Sequence, residues 1–127
     1  MQEQRGVFVD HEPGVAFRQR RIVDILQRIK QLAFERRVEF TEKALNEIES
    51  DGLRKSDVIQ SLLNAQAIAK VLRSTSRYRR LKGERLYVIK SFDFQGTLIY
   101  TKGAIVRERK GEVFYVLVSS KISIVEA

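Results

Sequence analysis

Near the end of the chain, Thr97–Arg107 and Glu112–Lys121 each carry the alternation of a half-buried strand, and they flank Lys110-Gly111, a tight-turn signal. A hairpin of that length commits much of the chain to an antiparallel sheet. With Lys110 and Gly111 as the two central turn residues, Arg109 stands opposite Glu112. Counting back puts Tyr100 opposite Lys121 and Lys102 opposite Ser119. Alternate side chains share a face, so all four point the same way. With a three-residue loop, Glu108 would pair with Glu112 and Tyr100 would face Ser120 instead. A phenol and two ammonium groups on one sheet face are not core chemistry. In a basic chain they make a candidate site for a phosphodiester.

The basic character is concentrated. Of a net charge of +8, the segment Lys70–Lys90 holds Lys70, Arg73, Arg77, Arg79, Arg80, Lys82, Arg85 and Lys90 against the single acid Glu84. Such a block favours polyanionic partners through counterion release and steering. Tyr78 and Tyr87 lie within it, and rings between cations suit unstacked bases. Arg73, Arg77, Arg79, Arg80, Lys82, Arg85 and Tyr87 are therefore the expected RNA-binding residues. An acidic protein partner and an ordinary solvated loop are the alternative readings of the same block.

The remaining pattern places helices before strands. Residues 1–16 contain Gly6, Pro13 and Gly14 and read as an arm, a candidate for adding a strand to a neighbouring copy and so forming a homodimer. From residue 17 onward a single domain is expected, since 127 residues supply one core and not two. Ile22, Ile25, Leu26, Ile29, Leu32 and Ala33 recur at helical spacing, giving an amphipathic helix to about Arg36. Val38-Glu39-Phe40 is a short extended link. Thr41 caps a helix running to about Ser50, stopped by Asp51-Gly52. Ser56 is the expected cap of a further helix burying Val58, Ile59, Leu62 and Leu63. Strands are expected at Ile68–Leu72 and Leu86–Ile89, the latter apolar on both faces. Gln95-Gly96 then turns the chain into the hairpin, and Ile122–Val125 is a short strand candidate at the tail. The result is an α+β fold: an antiparallel meander with the N-terminal helices packed on one face.

Several chemistries are excluded. The chain has no cysteine, which removes disulfides, thiolate zinc sites and cysteine nucleophiles and suits a cytoplasmic protein. No apolar run approaches a membrane span, and the first residues lack the apolar segment of a secretory signal. The one histidine, His11, rules out a two-histidine acid–base nuclease and a histidine-rich metal centre. No phosphate-binding glycine motif is present, so no cofactor is expected. Glu35, Glu39, Glu42, Glu47, Glu49 and Asp51, mostly on expected helices, read as solvated faces rather than a magnesium cluster.

Metal-free chemistry by Tyr, Lys and Arg remains, and RNA cleavage needs little else. The substrate's own 2′-hydroxyl is a nucleophile already held beside phosphorus. The protein must move two protons and stabilise the charge gathering on the phosphoryl oxygens. DNA lacks that hydroxyl, so the constellation suits a ribonuclease.

Three stretches carry a family resemblance: Arg28–Leu32 with Val38–Leu45; Asp51-Gly52-Leu53 with Asp57–Leu62; and Leu98–Lys102 with Val116–Lys121. In their order and spacing the chain resembles the MqsR family of mRNA-interferase toxins, which share the RelE-like fold. The resemblance implies a ribosome-independent endoribonuclease of a type II toxin–antitoxin system. It also implies a cognate antitoxin with a zinc-binding part and a helix-turn-helix. Tyr100 and Lys121 fall on positions the family uses for catalysis, and Lys70 fits a third basic position. The family's glutamine has no counterpart on Leu86–Ile89, where Tyr87 is nearest. The expected catalytic set is thus Tyr100, Lys121, Lys102 and Lys70, with no metal. The alternative is a non-catalytic module of the same fold that binds RNA or an antitoxin.

Overall fold

The computed structural model describes the backbone of residues 13–75 and 79–124. Among these it forms three α-helices and a five-stranded mixed sheet, an α+β arrangement. Helix α1 spans Pro13–Phe34, so residues 13–16 of the expected arm are helical. Residues 1–12, and with them the expected arm-mediated dimer, lie outside the described residues. Helix α2 spans Glu42–Ser50 and starts where expected, with the Thr41 hydroxyl accepting the Ala44 N–H at 3.2 Å. Helix α3 spans Lys55–Leu63 and begins two residues earlier than a Ser56 cap would place it. Arg54 is the cap, its N–H donating to the Asp57 carboxylate at 2.8 Å. No helix of the described residues is long and apolar enough to cross a membrane.

The strands are β1 (Val38–Phe40), β2 (Lys70–Arg73), β3 (Arg85–Phe92), β4 (Leu98–Arg107) and β5 (Val113–Ile122), in the spatial order β1-β5-β4-β3-β2. The pairs β2–β3, β3–β4 and β4–β5 are antiparallel. The sheet as a whole is not: the expected link Val38-Glu39-Phe40 is a strand, and it runs parallel to β5. Three residues are too few to show a period, which is why the strand is invisible in sequence. The tail adds no new strand up to Ile124. Ile122 ends β5, and the Ser123 N–H extends the ladder to the Leu98 carbonyl at 2.9 Å.

Period-two alternation divides the sheet into two unlike faces. Tyr87, Ile89, Ile99, Tyr115 and Leu117 face the helices and pack with Leu26, Ile29, Leu32, Ala44, Ile48, Val58 and Leu62. The opposite face carries a smaller apolar cluster of Leu81, Leu86, Ala104, Val106 and Val116, and no α-helix of the described residues covers it. Helix α2 lies along the β5 side of the sheet. There Glu47 accepts the Ser120 N–H (3.0 Å) and the Ser119 hydroxyl (2.8 Å), while Asp51 accepts the Ile122 N–H (2.8 Å). These two acids, expected as solvated, are bonded to the sheet.

Candidate functional site

The register of the long hairpin decides which side chains meet, and it departs from the simple count twice. First, the loop has three residues, Arg109-Lys110-Gly111. Glu108 N–H donates to Glu112 O at 2.7 Å, and Gly111 N–H to Glu108 O at 2.9 Å. Gly111 takes φ of +86°, a left-handed conformation that glycine adopts without cost. That loop alone would set Tyr100 opposite Ser120. Second, Lys102 pairs with Ser119 but Gly103 pairs with Leu117, leaving Val118 as an extra residue on β5. The bulge moves the register by one, and Tyr100 stands opposite Lys121 after all. Close approach at the bulge requires Gly103. A Cβ there would lie 2.8 Å from the Val116 carbonyl oxygen and 2.8 Å from Cζ of Tyr115.

On the uncovered face the paired residues form rows across the sheet. Lys90, Tyr100 and Lys121 make one row, with Lys90 opposite Tyr100 on β3 and Lys121 opposite it on β5. The next row is Lys70, Val88, Lys102 and Ser119. Tyr100 is half-buried, Lys90 and Lys121 are exposed, and the Lys121 ammonium sits 5.4 Å from the centroid of the Tyr100 ring. Among the described residues, no carboxylate comes within ion-pair distance of Lys70, Lys90, Lys102 or Lys121. A phenol thus lies between two ammonium groups, with a third ammonium two residues along its own strand. Several ammonium groups held on a rigid sheet, with a hydroxyl among them, are suited to a phosphate and to moving a proton at one of its oxygens.

Glu47 of α2 braces the neighbouring row at Ser119 and lines the cleft on the same face. Burial acts to raise its carboxyl, but the hydrogen bonds from Ser119 and Ser120, with Lys43 and Lys121 nearby, outweigh burial and hold it below the ordinary value. It therefore stays charged and fixes Ser119, the cross-strand neighbour of Lys102. A cleft of about 1030 Å³ continues from Lys102 along the same face. Its floor includes Leu86, Val116 and Val118, and Lys43 and Asn46 of α2 lie on one wall.

The structure gathers the four expected catalytic residues on one face, with Lys70 separated from Lys102 by Val88. It does not gather the expected RNA-binding set around them. Tyr87 points into the helix-side core, is buried, and has its phenol pushed up by desolvation; it presents no ring to a base. Arg80 lines the cleft with Lys102, but its guanidinium is engaged by the carboxylates of Glu39 (3.0 Å) and Glu108 and ties β1 to the hairpin. Arg73 and Arg85 are paired with each other across β2–β3, in line with Tyr87 and so on the face opposite Tyr100. Lys82 is exposed in the turn before β3. Arg77, Tyr78 and the side chain of Arg79 lie outside the described residues.

Lys90 escapes the sequence reading because the strand is expected to end at Ile89. A signal exists. Asp93 and Gly96 stand three apart, the i and i+3 residues of a type I turn. In the structure the Asp93 carboxylate accepts from Gln95 N–H (2.9 Å) and Thr97 N–H (2.8 Å). Counting from that loop sets Lys90 opposite Tyr100. Among the described residues, no group of three or more His, Asp or Glu side chains is placed to hold a metal ion. No family model, curated protein or solved structure matches the chain.

Proposed function

We propose that this chain is an endoribonuclease that cleaves RNA through the substrate's 2′-hydroxyl, with no metal ion in the reaction. The observation that carries the reading is the row Lys90–Tyr100–Lys121 on the uncovered face. The 2′-oxygen attacks phosphorus and the bond to the 5′-oxygen breaks, leaving a 2′,3′-cyclic phosphate and a free 5′-hydroxyl. Tyr100 serves as general base or acid in that exchange. Lys90, Lys102 and Lys121 stabilise the negative charge on the phosphoryl oxygens, and in many enzymes such electrostatic stabilisation lowers the barrier more than any other effect. The RelE-like fold, the toxin role and a zinc-binding antitoxin as cognate partner rest on the resemblance to MqsR-type toxins, and belong to the same proposal.

The test is purified protein mixed with a long mRNA, with EDTA present and ribosomes absent. Cleavage to products ending in a cyclic phosphate is expected. Tyr100→Phe should slow it by about 10²–10⁴-fold, the usual worth of a positioned proton-transfer group. Lys121→Ala should also impair cleavage, and neither change should alter the unfolding transition. RNA that stays intact while binding the protein in a salt-dependent way would replace this reading with a non-catalytic RNA-binding module. Expression without an antitoxin should arrest growth, and Tyr100→Phe should relieve the arrest.

A further inference from the structure

Beside the lysine-flanked tyrosine lies an aromatic ring that the core does not use. Phe92 is the last residue of β3, two positions beyond Lys90 and so on the same face. It is paired with Leu98 of β4 and is 54% exposed. Its backbone is fixed rather than frayed. The Asn64 side-chain amide donates to the Phe92 carbonyl at 2.8 Å, and Gln60 accepts the N–H of Phe94, two residues on, at 3.1 Å. A large apolar ring held out to water on a rigid strand end lacks a structural explanation. Two residues along a strand span about 6.6–6.8 Å, comparable to the reach from a backbone phosphate to the base it carries.

We infer that Phe92 is the base platform of the site: it stacks the unpaired base of a nucleotide whose phosphate lies against Lys90 and Lys121. The inference rests on reading the Tyr100 row as a phosphate site, and it names the substrate class as single-stranded RNA. Stacking uses the ring face common to every base, so Phe92 contributes affinity without selecting a sequence. An exposed phenylalanine used for a protein contact would give none of these couplings to RNA.

The experiment uses a single-stranded oligonucleotide made uncleavable by 2′-O-methylation, with one abasic residue moved along it. For the wild-type protein the abasic residue should cost about tenfold in affinity at one position and much less elsewhere. Phe92→Leu should bind the intact oligonucleotide about tenfold more weakly and lose its sensitivity at that position, because the two changes remove the same contact. Phe92→Tyr should behave as the parent. Additive losses, or unchanged binding by Phe92→Leu, would overturn the platform. Cleavage is scored separately on all-RNA substrate. A protein that shows the coupling but cuts nothing retains the platform and loses the nuclease reading, whereas one that cuts without the coupling does the reverse.

Discussion

The two faces of the sheet treat the same residue type in opposite ways. Tyr115 on β5 is fully buried beneath the helices; burial, and then its neighbour Tyr87, push its phenol far above the ordinary value. Its hydroxyl reaches the Tyr87 carbonyl at 3.4 Å. Tyr100 on β4 lies on the uncovered face between Lys90 and Lys121. One ring fills a core and the other stands half-exposed among lysines, and the difference is one of register, not composition. A single-residue slip would carry Lys121 to the helix side and leave Tyr100 facing serine.

The contrast is broken most strongly by truncating each ring. Tyr115→Ala should destabilise the protein by about 3–5 kcal/mol, the range for removing a buried aromatic. Tyr100→Ala should change stability by no more than about 1 kcal/mol. Denaturant unfolding of both variants checks this, and equal losses would remove the distinction between the faces.

Next is the bulge. Gly103→Ala forces a methyl group against the Val116 carbonyl and the Tyr115 ring, and overpacking of this kind costs about 1–3 kcal/mol. RNA binding should fall along with stability, even at temperatures where the variant stays folded, because Tyr100 and Lys121 meet only through that bulge.

The smallest effect is electrostatic. Glu47 has a folded-state pKa below its unfolded value, so its contribution is complete above the ordinary carboxylate range and is lost as pH falls through the folded value. Glu47→Gln should cost on the order of 1 kcal/mol at neutral pH, and the gap to wild type should close toward about pH 3. Unfolding curves across that range measure it; a gap that widened in acid would contradict the bonding of Glu47 to Ser119 and Ser120.

What can be read from sequence is whatever a local pattern determines. The Thr41 cap, the apolar stripe of α1 and the alternation of β4 and β5 each follow from residues within a few positions of one another. The pairing of Tyr100 with Lys121 is also reached, but by a route with two missing steps that cancel: a loop one residue longer and a bulge at Val118. No side chain announces that bulge, and only the glycine at position 103 hints at it. Arg80 is misplaced because its partners, Glu39 and Glu108, are remote in sequence and a charge count cannot see them. Tyr87 is misplaced because a basic neighbourhood along the chain says nothing about which face of a strand a ring occupies.

The acids of α2 have a consequence for assembly. Glu47 and Asp51 are one helical turn apart, about 6 Å, and the N–H groups of Ser120 and Ile122 that they meet are spaced by two strand residues, about 6.8 Å. Side-chain oxygens therefore occupy the places that main-chain carbonyls of an incoming strand would fill, and along this stretch the border is closed to recruitment. The short β2 is exposed along its whole length, and among the described residues no carboxylate guards its outer edge in this way. Of the two margins of the sheet, the one farthest from α2 is thus the one whose main-chain groups no α2 acid occupies.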